Sequence, residues 1–318
     1  MKHYKIISTL RCLNLDGDLI SRLALLPGVD IITDRKSIKS IINKDFKKFA
    51  GVIEYDYYLK AGHILYMEST DESIFDGAGS HGALLSWLSW VGMLLEDVWL
   101  IKDNAVICES AFCRLVDNGV VEWTSNYLNT HVSNSVGLKG EGVDFSVSEL
   151  LRWRDISHKL QTYRFDKSST SYHSFTDKSY SRVSRATRFI GAARLDGHPA
   201  TKIAHYCSAL ESLFSTDSSE LTHKLSERVA LFLRDNSYDP ISVFKEVKSY
   251  YGIRSKVIHG DDISKKKAEQ LPVLSDNCDV LLRSIMNIII SNPDYIQLFD
   301  GPKEAFEEYF QNKMFMVE

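Results

Sequence analysis

Arg254 and His259 are separated by four residues in the run Tyr250-Tyr-Gly-Ile-Arg-Ser-Lys-Val-Ile-His-Gly-Asp261. Arginine keeps its charge at any ordinary pH and offers a planar fork of donors that matches phosphate oxygens. Histidine, with an unperturbed pKa of ~6.5, populates both protonation states near neutrality. Cleaving RNA through its own 2′-hydroxyl needs a base for that hydroxyl, an acid for the departing 5′-oxygen and a cation on the pentavalent phosphorus. One arginine and one histidine do not complete such a site. Two copies of the pair facing each other across a dimer axis do, and no metal is then required.

The elements that carry this pair can be read from the same sequence. Asp239 is a candidate N-cap and Pro240 suits a first helical position, so a helix is expected over 240–259. Residues five apart on a helix are displaced by ~7.5 Å along the axis and by ~140° in rotation, so Arg254 and His259 do not share one narrow stripe. Gly260 follows at once, which places His259 in the final turn, where the helix dipole favours a cation. Spacing alone is a weak signal, because Arg152 and His158 form a second arginine–histidine pair within the same chain.

Bulk properties set the frame. The 318 residues are long enough for two domains, with 44% hydrophobic and 25% charged residues and a net charge of −4. That balance excludes a general nucleic-acid coat, so any RNA contact must come from a local basic surface. Between Arg152 and Arg194 ten Lys/Arg face three Asp, a pattern that fits either solvated helix faces or an RNA track. Met1–Leu10 has no apolar signal core, and the apolar run Ala83–Leu95 is shorter than the ~20 residues that cross a bilayer. A cytoplasmic protein without membrane segments is expected. The five cysteines are scattered, apart from Cys108 and Cys113, and match no zinc-site spacing. Reduced thiols, no structural metal and no cofactor are expected.

The fold class expected is α+β, in two parts. Residues 1–145 mix helix and strand signals, with strands expected at Gly51–Leu59, His63–Glu68, Val98–Ile101, Ala105–Val116 and Val120–Thr124. Asn118-Gly119 is a hairpin turn signal, and Ala83–Leu95 reads as a helix packed on these strands. Tryptophans 87, 90 and 99 read as core. Residues 146–181 read as a helix followed by a serine-rich linker, the helix opened by the capping box Ser146-Val-Ser-Glu149 and running to about Tyr163. From 182 to 318 the pattern is helical: 182–195, 199–214, 221–234, 240–259, 274–290 and a short helix over 303–311. Gly79-Ser80 lacks the acidic residues a nucleotidyltransferase would need after it, and that reading is rejected.

Three motifs within 182–262 carry a resemblance. They are Lys202-Ile-Ala-His-Tyr-Cys-Ser-Ala-Leu-Glu-Ser-Leu-Phe214, Leu221-Thr-His-Lys-Leu-Ser-Glu-Arg-Val-Ala230 and Tyr251-Gly-Ile-Arg-Ser-Lys-Val-Ile-His-Gly260. In this order and spacing they resemble the Apea-like branch of the HEPN superfamily. The resemblance implies a dimeric HEPN helical bundle whose Arg-x4–6-His motif is a metal-independent ribonuclease site at the dimer interface. It further implies a role in abortive anti-phage defence. Mapped by motif, Arg254 and His259 are the catalytic pair, and Glu211 is singled out with them. Ser255 stands where many HEPN nucleases have Asn, Asp or His. Ser255 and Lys256 are candidates for RNA contact, and the Lys265–Lys267 run reads as a solvated loop.

Glu211 lies beside the apolar stripe of its helix, where an unpaired carboxylate is costly, so a cationic partner is expected. Arg254 and Arg228 both qualify. With Arg254, Glu211 would orient a catalytic guanidinium; with Arg228, it would only tie the bundle together. The function expected is an endoribonuclease acting as a homodimer on RNA, with residues 1–145 sensing a phage-derived trigger. The alternative is a non-catalytic dimerisation or RNA-binding scaffold.

Overall fold

The computed structural model describes residues 2–15, 21–75, 79–128, 131–167, 181–217 and 221–316. The fold is α+β, with a largely antiparallel sheet followed by helices, and the chain divides into two compact units. The first contains residues 1–132 and 140–164, and the second contains 133–139 and 165–318.

In the first unit, β1 (His3–Arg11), β2 (Leu13–Leu15), the hairpin β3 (Arg22–Leu26) and β4 (Val29–Ile32) precede two helices, α1 (Arg35–Ile41) and α2 (Lys44–Lys60). Then come β5 (Ile64–Ser69), α3 (Gly79–Asp97), the long hairpin β6 (Ile107–Asp117) and β7 (Val120–Tyr127), the short β8 (Val143–Phe145), and α4 (Val147–Lys167). The main sheet has the order β3-β4-β5-β1-β6-β7, all neighbours antiparallel, while β2 pairs with β8 in parallel. The expected turn at Asn118-Gly119 joins β6 to β7, with φ of 49° and 82°.

Two expected strands are helical. Gly51–Leu59 lies inside α2, which Asn43 caps through its side chain. The β-branched and aromatic residues there suit a strand locally, but Phe46 and Tyr58 pack into one core with Ile38, Ile42 and Phe112. That packing outweighs local propensity. Gly51, at φ 89° and ψ 179°, kinks the helix in a backbone region reserved for glycine. Val98–Leu100 is a turn of 3₁₀ helix that prolongs α3.

α3 lies against β1, β6 and β7, with Trp87 fully buried and its indole donating to Ser8 Oγ at 3.2 Å. The segment Gly79–Leu100 is the one stretch among the described residues apolar and long enough to cross a membrane, and it is mostly buried as a core helix. Trp99 is likewise buried, and Trp90 is half-buried against Phe75. Ser80 is buried and bonded to Glu122 and Thr124, a structural role.

α4 belongs to the first unit, which moves the expected boundary at 145 to the far end of that helix. The capping box forms, with Glu149 Oε2 accepting from Ser146 N at 2.8 Å, and Trp153 donates to Leu94 O at 3.2 Å. The serine-rich stretch expected as a linker lies almost wholly outside the described residues, its ends being the close of α4 and the N-cap of the next helix at Ser181.

The second unit is built from α5 (Arg182–Leu195), α6 (Pro199–Phe214), α7 (Leu221–Arg234), α8 (Pro240–His259), the short α9 (Lys265–Ala268), α10 (Leu271–Ser291), α11 (Pro293–Asp300) and α12 (Lys303–Phe315). Lys265–Lys267 therefore opens a helical turn instead of a loop. α6 is the central helix, packed against α5, α7, α8 and α10. Its buried Ile203, Tyr206, Cys207, Leu210, Leu213 and Phe214 supply much of the core. Lys202 on the same helix is fully buried and donates to Ala193 O at 2.7 Å, placing its charge at the C-terminal end of α5.

A strap, Ser133–Lys139, leaves the first stretch of chain and docks on this unit. Ser133 N donates to Arg194 O at 2.7 Å, Ser275 Oγ donates to Ser135 O at 2.6 Å, and Ser135 Oγ to Asp276 Oδ1 at 2.7 Å. Gly137 is so close to the backbone of Gly197 that an added Cβ would stand 2.2 Å from its carbonyl oxygen.

Candidate active site on the helical unit

α8 is specified at both ends. Asp239 accepts from Ile241 N at 3.4 Å and from Ser242 N at 3.0 Å, and Pro240 follows. At the other end Gly260 adopts the left-handed conformation, φ 72° and ψ 23°, and its N–H returns to Lys256 O. His259 is the last helical residue, as the sequence indicates. Its side chain is exposed and has no partner among the described residues.

Arg254 lies one and a half turns earlier and is held in a different setting. Its Nη2 is 3.4 Å from Glu211 Oε1 on α6, with side chains 24% and 21% exposed. The guanidinium carbon also sits 5.2 Å from the ring centroid of Tyr251, the residue three before it on α8. Burial, followed by the negative charge of Glu211, pushes the Tyr251 phenol up to about 12, against the opposing pull of Arg254. Arg254 Nε and Glu211 Oε1 are buried without a hydrogen-bond partner, so the pair is electrostatic contact with hydrogen-bonding capacity left over.

The choice between two partners for Glu211 is thereby resolved. Arg228 is engaged elsewhere: it donates to Phe214 O at 2.8 Å, to Thr216 Oγ1 at 3.1 Å and to Glu307 Oε2 at 2.5 Å, and only 11% of its side chain is exposed. It ties α7 to α12 while Glu211 faces Arg254.

The remaining site residues divide. Lys256 Nζ donates to Asp262 O at 2.8 Å, stapling the segment after the cap. Ser255 is half-buried with no partner for its hydroxyl among the described residues. Glu211, Arg254 and Tyr251 form one cluster, and among the described residues no hydrogen bond, ion pair or ring contact joins His259 to it. Tyr251 belongs to the motif, and its position three residues before Arg254 is the signal in the sequence that places both on one face.

The decoy pair Arg152 and His158 lies on α4, in the other unit. The basic segment 152–194 is divided between the units as well. Half-buried Arg182 donates to Ser215 O at 2.7 Å over the ring of Phe306, and Arg194 is 4% exposed, so the first is engaged within the helical unit and the second belongs to its interior. All five cysteines are free thiols. Among the described residues no cluster of three His, Cys, Asp or Glu is placed to hold a metal ion.

In comparisons with family models, curated proteins and solved structures, nothing matches this chain.

Proposed function

We propose that the chain is a cytoplasmic, metal-independent endoribonuclease of the HEPN type, active as a homodimer and serving anti-phage defence. The observation that carries the reading is the contrast on α8. Arg254 is held between the Glu211 carboxylate and the Tyr251 ring, while His259 stands open on the last turn. A cation meant for a transition state benefits from being fixed in advance, because preorganised charge needs no rearrangement as negative charge develops. A proton carrier must instead be reachable from solvent and substrate.

In this reaction the 2′-oxygen bonds to phosphorus and the bond from phosphorus to the 5′-oxygen breaks. One His259 takes the 2′-hydroxyl proton, and His259 of the second copy gives its proton to the leaving 5′-oxygen. Arg254 neutralises the equatorial oxygens of the phosphorane. Glu211 is a positioning residue that fixes the guanidinium. The products are a 2′,3′-cyclic phosphate and a 5′-hydroxyl. Ser255 and Lys256, on the turn between Arg254 and His259, are the proposed contacts to the adjoining phosphates, with Lys256 leaving the Asp262 carbonyl to make its own.

The test is incubation of the purified full chain with total cellular RNA and a tRNA pool in EDTA, beside His259→Ala. Cleavage by the wild type alone, with an all-deoxy strand left intact, is the expected result. Cleavage of DNA, loss of activity in chelator, or equal activity in the variant would overturn the proposal. If neither protein cleaves, even in phage-infected lysate, the helical unit is a scaffold.

A further inference from the structure

One face of the main sheet in the first unit is only partly covered. Ile7, Ile32, Tyr66 and Phe112 on that face pack against Ile38 of α1, its C-cap Ile42, and Phe46 and Tyr58 of α2. Beyond this core the same face continues as a row of larger polar groups. The register sets Trp123 opposite Arg114, Arg114 opposite Lys5, and Lys5 opposite Glu68. Residues paired this way project to one side of the sheet and lie within side-chain reach of one another. An open cleft of about 470 Å³ lies over the row, with Ser40 of α1 and Asp45 of α2 on its helical wall. That volume falls in the range of small-molecule sites.

The charges in the cleft do not balance. Glu68 is matched by Lys5 at 3.2 Å, by His3 at 2.7 Å and by the Tyr66 hydroxyl at 2.6 Å. Arg22 is paired with Asp30. Asp45 is 64% exposed and stands 3.8 Å from Lys48, so it is solvated at the rim. Arg114 is half-buried and has no acidic partner among the described residues. A partly desolvated guanidinium without a counter-ion is a poor element of a folded core and a good receptor for an oxyanion. Beside it, Trp123 is fixed by stacking on Phe49, with centroids 5.4 Å apart and planes at 16°, and its indole N–H has no acceptor among the described residues.

We propose that this cleft binds a nucleoside monophosphate, its phosphate on Arg114 and its base against Trp123. One spare cation suits a single phosphate, whereas a triphosphate would bring more negative charge than the cleft can meet. Ser40, whose hydroxyl has no partner among the described residues, offers a contact for the ribose. The inference stands without the ribonuclease reading, since every residue it uses lies in the first unit.

Isothermal titration calorimetry of the full chain with AMP, GMP, CMP and UMP, beside ribose 5-phosphate and adenosine, tests it. At least one monophosphate is expected to saturate a single site, and Arg114→Gln to weaken it by about tenfold or more. Trp123→Leu should weaken the nucleotide more than ribose 5-phosphate. Ser40→Tyr, made at an exposed helix position and therefore tolerated by the fold, should block the cleft. Absence of saturable binding by all four monophosphates up to about 5 mM would overturn the proposal. So would unchanged affinity in Arg114→Gln or Ser40→Tyr, or ribose 5-phosphate binding as tightly as the nucleotide.

Discussion

Glu211 on α6 faces Arg254 on α8 across 3.4 Å, with both side chains more than three quarters buried. Removing either partner strands the other in a partly desolvated pocket. Glu211→Ala and Arg254→Ala are each expected to lose about 1–3 kcal/mol of stability, and the double variant less than the sum. Urea unfolding of all four proteins gives the coupling directly. A coupling within about 0.3 kcal/mol of zero would mean that the two charges are independent.

Arg228 and Arg254 should separate folding from chemistry. Arg228→Ala removes three hydrogen-bonding contacts to Phe214, Thr216 and Glu307, so its melting temperature should fall while the folded fraction keeps its cleavage rate. Arg254→Lys keeps the charge but loses the planar fork, so it should melt near the wild type and cleave about 100-fold more slowly. Comparing melting curves with initial rates on tRNA decides it, and equal rates for Arg254→Lys and wild type would remove Arg254 from the chemistry.

His63 gives the first unit a defined acid sensitivity. It is buried with only Leu10 N on its Nε2, at 3.3 Å, and burial holds its pKa down to about 4. The unfolded chain takes up the proton near pH 6.5, so stability is full above that value and declines as the pH falls towards 4. The loss approaches about 3 kcal/mol and levels off once the folded state protonates as well. Unfolding followed between pH 7 and 4 should show this slope in the wild type and a flatter one in His63→Gln. Parallel slopes in the two proteins would show that other groups dominate.

Lys202→Met tests whether a buried cation is spent on the end of α5. The substitution keeps the aliphatic stem and deletes the donor to Ala193 O. A loss of about 1–2 kcal/mol is expected, the cost of a charge-assisted hydrogen bond at a carbonyl that keeps only the Asp196 N–H at 3.2 Å. An unchanged melting temperature would mean that water replaces the ammonium.

The sequence was most legible where several local signals agreed. Asp239, Pro240 and Gly260 bracket α8 at the observed residues, and with it the placement of His259 in the final turn. Asn118-Gly119 and the Ser146 capping box are of the same kind, since each is a short-range rule satisfied by neighbours in the chain. Reading failed where distant packing decided the outcome. Val52, Ile53, Tyr55 and Tyr57 have the composition of a strand, yet the Asn43 cap and the fit of Phe46 and Tyr58 against Phe112 make that segment helical. The strands over residues 3–32 went unread, although Pro27-Gly28, with Gly28 at φ 76°, marks the β3–β4 turn. The partner of Glu211 was undecidable from sequence, because Arg228 and Arg254 are equally plausible until Glu307, 79 residues beyond Arg228, claims it.

The strap Ser133–Lys139 bears on how the chain is made. A recombinant fragment begun at residue 165 or 182, where the sequence invites a cut, would omit it. Ser275 and Asp276 would lose their partners, and the backbone of Gly197 would face water where Gly137 had stood. During synthesis the strap leaves the ribosome before any helix it locks, so it must wait for Ser275 and Asp276 before it can dock. The helical half thus completes itself only after the first turns of α10 have emerged, which delays any activity it carries until most of the polypeptide exists.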